Sequence, residues 1–256
     1  MDMKVIKDKL VQLGKSAYAP EVSEGDGGQE CSKFSGVPWL LKGESWPTCG
    51  YCNDPSQLVL QLNLTECPLK FAGWPEQGFV QVFYCLNEGT YCEEAGDDCF
   101  SPFGKFVTAR VIESQGEGEL VKENPVKGAL PTRVITGWKE LLDYPAPTEV
   151  EPLTEGKVTE EEADFLFDLT EDYGLSWRDA SLPEPLTYPK DKVGGWPLWL
   201  QDTAYPSCPE CEAKMEYVLQ VASNDGFSHG WGDCDIAQLF RCPTHKKVLA
   251  FSWAGS

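Results

Sequence analysis

The sequence predicts an α+β protein that is mainly β: two pseudo-repeated β-rich metal-binding units forming one bilobal domain with a few peripheral helices. Three observations predict it. A segment of the first half recurs in the second half at a constant offset. In both copies a Cys-x-x-Cys turn is followed by a run of β-branched and aliphatic residues bounded by turn residues, the pattern of a strand. Helical periodicity is confined to two short segments outside the copies.

In chain order, residues 1–30 read as an N-terminal helix and linker, with Ile6, Leu10 and Leu13 on one face and Gly14 as the stop. Residues 31–145 form the first unit. Its core signal is GVPWLLKGESWPTCGYCNDPSQLVLQL from Gly36, with strands expected at Leu58 to Leu64 and Phe79 to Leu86. It carries an acidic insert with a strand expected at Lys105 to Ile112 and a short helix beginning at Trp138 to Leu142. Residues 146–190 read as an acidic linker and a helix. The linker is marked by Pro147 and Pro152, and the helix is opened by the capping box Thr159-Glu-Glu-Glu162 and ended at Gly174.

Residues 191–256 form the second unit, GWPLWLQDTAYPSCPECEAKMEYVLQV from Gly195, with strands expected at Tyr217 to Ala222 and Ile236 to Arg241. The two units align without a gap at an offset of 159, Gly36 against Gly195 and Cys49 against Cys208. A second match, Gln81 to Cys85 against Gln238 to Cys242, follows at an offset of 157. Gln61 and Gln220 interrupt apolar runs at matching positions. A buried amide must find partners, so each is expected to pin a neighbouring loop or strand edge.

The chain holds 11 Cys, too many and too regularly grouped to be incidental. Cys208-Pro-Glu-Cys211 and Cys242-Pro-Thr-His245 are two knuckles whose ligands lie three apart, which lets each pair face one point. Three thiolates and an imidazole make a complete tetrahedral zinc set. The first unit offers Cys49, Cys52 and Cys85, with Cys92 or Cys99 as the fourth ligand and Cys92 preferred because it is nearer in sequence. All of these positions are Cys or His, so the expectation is two structural zinc ions with no open coordination position for a substrate or water.

The net charge is −20, from 41 acidic and 21 basic side chains, and Glu88 to Ser176 alone carries 21 acidic against 7 basic residues. A polyanionic nucleic acid is a poor partner for such a surface, whereas a basic protein is a good one. No apolar stretch approaches a membrane span, and Met1 to Leu13 lacks the apolar block of a secretory signal, so a cytoplasmic protein is expected. No nucleophile elbow, phosphate loop or dinucleotide fingerprint is present, so no enzyme activity is expected. Of the two His, only His229 lies outside the zinc sets. With Trp231 and Asp233 it marks the alternative reading, a small-molecule or enzyme site between the lobes.

The motifs Ser35-Gly36-x-Pro38, Trp46-Pro47-x-Cys49, Leu60-Gln-Leu-Asn-Leu64 and Gly194-Gly-Trp-Pro197 resemble the YwqG-like family of bacterial domains of unknown function. Trp231-Gly-Asp233 and the closing Ala250-Phe-Ser-Trp-Ala-Gly-Ser256 are similar to that family's C-terminal pattern. The resemblance spans roughly residues 30–256 and implies a β-rich, pseudo-symmetric fold with Cys pairs in a zinc-binding subgroup. It carries no catalytic residues. It also implies kinship with proteins encoded beside bacterial polymorphic toxins. The expected function is therefore that of an immunity protein, which neutralises a cognate toxin by direct contact.

Overall fold

Aliphatic and aromatic runs bounded by Gly, Pro and Asn give ten strands that join into a single antiparallel sheet. The computed structural model describes residues 12–87, 92, 96–114, 118–121, 123–145, 149, 187–231 and 236–254. The strands are β1 (Lys15–Glu24), β2 (Lys33–Phe34), β3 (Gln57–Asn63), β4 (Gly78–Tyr84), β5 (Val107–Glu113), β6 (Arg133–Asp143), β7 (Lys192–Gly194), β8 (Glu216–Ala222), β9 (Ile236–Arg241) and β10 (Leu249–Ala254). Their order across the sheet is β10-β9-β8-β7-β1-β6-β2-β3-β4-β5. The two outer strands, β5 and β10, approach each other so that the sheet nearly closes on itself. Across that seam, the Phe251 N–H donates to the Pro102 carbonyl at 3.1 Å and the Trp253 indole donates to the Tyr84 hydroxyl at 3.0 Å. Such near closure brings the two edge strands beside each other and partly covers the edges that an open sheet presents to other chains.

One face of the sheet forms a shared interior. Val80, Val82 and Tyr84 from β4 meet Val218, Leu219, Val221 and Leu239 from β8 and β9, together with Phe227, Trp231 and Phe251. The opposite face of these strands is buried too, which is why β4 and β9 are buried along their whole length. There the side chains include two pairs of glutamines. The Gln61 amide donates to the carbonyls of Gln29 (2.7 Å) and Cys31 (2.9 Å) while its oxygen accepts from Trp39 N–H (2.7 Å). Gln220 donates to Tyr188 (3.0 Å) and Lys190 (2.8 Å) and accepts from Leu198 N–H (3.1 Å). Gln81 and Gln238, their cross-strand partners, donate to the carbonyls of Trp39 and Leu198, each at 2.7 Å. Both glutamines of the sequence reading therefore pin loops, and both faces of the β3–β4 and β8–β9 hairpins are largely dry because those loops lie across one of them.

The structure corrects the expected fold class. The described residues form a mainly β protein and one continuous sheet, not an α+β protein with two lobes. The one helical element bounded within them is a 3₁₀ turn, Gly96–Cys99. The helix expected at 159–173 and most of the one expected over Ile6, Leu10 and Leu13 lie outside the described residues, and the end of the latter, Gln12 and Leu13, is a turn.

Lys15–Glu24, expected as helix and linker, is instead a ten-residue strand near the middle of the sheet. Its buried Ala17 and Ala19 alternate with more exposed residues, a period-two pattern too weakly apolar to stand out. Pro20, which cannot donate to a ladder, is followed directly by a register shift at Glu21/Val22. Trp138 to Leu142, expected to begin a helix, pairs instead with β1 within the eleven-residue β6. Long-range pairing overrides the local helical preference there. No described helix is long and apolar enough to cross a membrane.

Between the end of β6 and the start of β7, which flank β1, a fully buried ion pair fastens the middle of the sheet. Lys192 Nζ lies 2.7 Å from Asp143 Oδ2, with both side chains fully excluded from solvent. The same carboxylate accepts the N–H groups of Trp196 and Tyr188, each at 2.7 Å. Gly195, at φ +74°, sits so close to Asp143 that a Cβ would lie 2.3 Å from Oδ2, so only glycine fits. A second buried carboxylate, Asp191, accepts from Ala222 N–H (2.7 Å) and Gly226 N–H (2.6 Å). Burial, and then the nearby Asp225, push its pKa up to about 7.

Two predictions follow from these groups. Asp143→Ala strands the Lys192 charge and should cost about 3–5 kcal/mol in urea unfolding. A loss below about 1 kcal/mol would show that the pair does not hold the sheet. Asp191 binds a proton more tightly folded than unfolded, so its stabilisation is full below the unfolded pKa and is lost as pH rises through about 7. Relative to Asp191→Asn, the wild-type chain should therefore gain about 1.4 kcal/mol between pH 8 and pH 6. Parallel pH profiles for the two proteins would contradict this.

Candidate metal centres

Each Cys-x-x-Cys turn is built by the same hydrogen bonds. In the first, Thr48 bridges to Pro55, Cys49 N–H donates to Asp54 at 2.9 Å, and Asn53 N–H returns to Cys49 at 3.0 Å. In the second, Ser207 bridges to Lys214, Cys208 N–H donates to Ala213 at 2.9 Å, and Glu212 N–H returns to Cys208 at 2.8 Å. Asn53 and Glu212 both sit at φ 59°, the left-handed conformation that reverses the chain after the second Cys. The hairpins β3–β4 and β8–β9 then carry Cys85 and Cys242, one residue beyond their second strands, back beside those turns.

Two sets of four donors result: Cys49, Cys52, Cys85 and Cys92, and Cys208, Cys211, Cys242 and His245, each with its ligand atoms within 4.8 Å of one another. In the first set the sulfurs of Cys52 and Cys85 are 3.8 Å apart, Cys85 and Cys92 3.8 Å, and Cys49 and Cys92 4.0 Å. In the second, Cys211 and Cys242 are 3.6 Å apart, and Nδ1 of His245 lies 3.6 Å from Cys208 and 3.7 Å from Cys242. A tetrahedral metal about 2.3 Å from each sulfur places sulfurs about 3.8 Å apart, whereas a disulfide requires about 2.05 Å. None of the seven cysteines in the two sets is in a disulfide. The donors fit a metal ion.

Supporting contacts surround these donors. Cys49 accepts the N–H of Tyr51 at 3.4 Å, and Cys242 accepts those of Thr244 (3.3 Å) and His245 (3.2 Å). With Nδ1 turned to the sulfurs, His245 Nε2 lies 3.4 Å from the carboxylate of Glu210, which sits between the two knuckle cysteines. A carboxylate on the outer nitrogen fixes the tautomer of a ligating imidazole and strengthens it as a donor.

The thiols of a set are pulled in different directions. Burial pushes Cys85 far above its ordinary value and Cys92 up to about 12. At Cys242, in the second set, burial also acts upward, but the N–H groups of His245 and Thr244 together with hydrogen bonds from Cys208 and Cys211 outweigh it and bring the thiol down to about 6. Thiols so close together resist collective ionisation on their own. A bound dication removes that resistance and deprotonates its ligands.

The structure thus brings together all eight residues marked from the sequence, and it places Cys92, not Cys99, in the first set. The Cys99 backbone carbonyl serves the seam instead, accepting from Tyr84 OH (2.9 Å) and Trp253 Nε1 (3.2 Å).

The alternative site fares differently. Trp231 is 1% exposed and packs against Tyr84, Phe227 and Phe251 in the interior. The His229 ring stands edge-on to Trp231 and to Phe227. Asp233 lies outside the described residues. Sequence reasoning missed Glu210, although its place inside the Cys-Pro-Glu-Cys turn was a usable signal.

The sequence matches the family described as "Domain of unknown function (DUF1963)" across residues 32–253. A 41-residue stretch is 42% identical to the "Uncharacterized protein YpfL" of Salmonella typhimurium (strain LT2), over 16% of this chain and 9% of that protein. The chain therefore matches under a tenth of that relative's length.

Metal analysis of the purified chain should find two ions per molecule. Cys92→Ser and Cys242→Ser should each lower this to about one, while Cys99→Ser leaves two. Unchanged content in Cys92→Ser, or a loss in Cys99→Ser, would reassign the first set.

Proposed function

The chain belongs to the DUF1963 family, and on that premise we propose that it is a binding protein braced by two structural zinc ions. The observation that carries this reading is the completeness of the donor sets. Every position around each metal is filled by Cys or His, which leaves none for an activated water or a substrate. Zinc held this way ties the hairpins down; in small zinc-finger peptides binding contributes about 10–16 kcal/mol to the folded state. Reduced thiols in such numbers suit a cytoplasmic protein.

The two Cys-bearing halves are read as diverged copies of one unit. In support, the glutamine bonds, knuckle bonds and strand bulges recur at matching positions. The YwqG-like resemblance and its zinc-binding subgroup belong to the same reading.

The partner is a basic protein. A net charge of −20 accelerates encounter with a positive surface and disfavours nucleic acid. Together with the resemblance, this supports the reading of the protein as an immunity protein that neutralises a cognate bacterial toxin by direct contact. A stable zinc-braced sheet supplies the rigid face that inhibition by binding needs.

Co-expression with the toxin encoded beside it should yield a complex whose affinity falls as salt is raised from 50 to about 500 mM. Co-expression should also restore growth of cells producing that toxin. Growth arrest despite abundant soluble protein would sink the proposal.

A further inference from the structure

A cavity of about 730 Å³ opens beside the second metal centre, between the start of β1, the loop after β7 and the knuckle that leads into β8. Its lining runs against the charge of the molecule. Lys15, Lys214 and Arg241 all face it, alongside Trp196, Tyr205 and Tyr217, in a chain with about twice as many acidic as basic residues, and the carboxylate that also lines it, Glu216, is paired with Arg241.

The cations are held in place from behind and below. Lys15 Nζ rests 3.2 Å from the centroid of Trp196, itself only 5% exposed, and Lys214 Nζ rests 3.7 Å from that of Tyr205. Arg241 is largely committed, donating to the Ala72 carbonyl at 2.8 Å and pairing with Glu216 at 2.6 Å, so it contributes field more than contact. Lys15 and Lys214 are both exposed and keep N–H donors for a ligand.

Behind this wall lies Glu149, fully buried, whose carboxylate bonds the Trp199 indole and whose field reaches Lys214 and Lys15. Burial pushes Glu149 toward its neutral form. The two ammonium groups are thus drawn to one rim by a carboxylate that only partly cancels them.

We propose that this cavity binds a small organic anion, a phosphate or carboxylate on an apolar body, with Lys15 and Lys214 gripping the anionic end. Its size is that of a ligand site, far larger than a bare phosphate needs. Met215 and Pro197 add apolar wall to the aromatic residues. The proposal is independent of the immunity reading, because it concerns a different class of ligand.

Calorimetric titration of the zinc-loaded chain with phenyl phosphate, inorganic phosphate and benzyl alcohol tests it. Phenyl phosphate should bind about tenfold more tightly than inorganic phosphate, and benzyl alcohol should not bind measurably. Lys15→Ala and Lys214→Ala should each weaken phenyl phosphate about tenfold. Both side chains are exposed, and unchanged thermal unfolding of each variant would confirm an intact fold. Glu149→Gln should bind the anion as well or more tightly. Absence of phenyl phosphate binding at millimolar concentration would overturn the proposal. So would affinity indifferent to both lysine substitutions, or weaker binding in Glu149→Gln.

Discussion

Four thiol or imidazole donors within 4.8 Å of one another are an arrangement that a protein interior does not favour unaided. Thiolates so close repel, and neutral thiols make weak hydrogen bonds that contribute little to folding. A tetrahedral dication turns both liabilities into attraction. The rest of the structure is arranged around meeting that demand twice. Each metal set needs a left-handed turn at Asn53 or Glu212, a hairpin whose second strand ends at a cysteine, and a loop that returns the fourth donor.

The hairpins that carry these donors are also the ones that build the interior. Their inward faces fill the common core, and their outward faces hold the glutamine pairs that tie down the covering loops. A metal ion bound at the ends of β3–β4 and β8–β9 would therefore steady both layers at once. The middle of the sheet relies on a different device. There Asp143 gathers an ammonium and two backbone N–H groups in a site without water access, which depends on Gly195 having no side chain. The donor sets at the hairpin ends and a satisfied buried charge at the centre are the two devices that a nearly closed sheet displays.

What could be read from the sequence follows from how local each signal is. Strands β3, β4, β8 and β9 were legible because they are continuous apolar runs beside Cys turns, and the eight donors were legible because ligand spacing is a short-range pattern. β1 and β6 were misread because their stabilising partners are each other, more than a hundred residues apart in sequence. Alternating small and charged residues reveal little until that pairing is known. The Lys192–Asp143 pair was invisible for the same reason, since a charged residue in a sequence reads as surface unless its partner is seen. The inward packing of Trp231 was equally hidden, because its polar, Gly-rich neighbours give no sign that the ring turns to the shared core.

The account stands on both donor sets binding zinc through protein atoms alone, and zinc K-edge X-ray absorption of the purified chain tests this most directly. One Cys₄ and one Cys₃His set per molecule predict an average of 3.5 sulfur and 0.5 nitrogen ligands per zinc, with Zn–S near 2.3 Å. Oxygen scatterers in the first shell, or a sulfur average well below three with zinc bound, would contradict it.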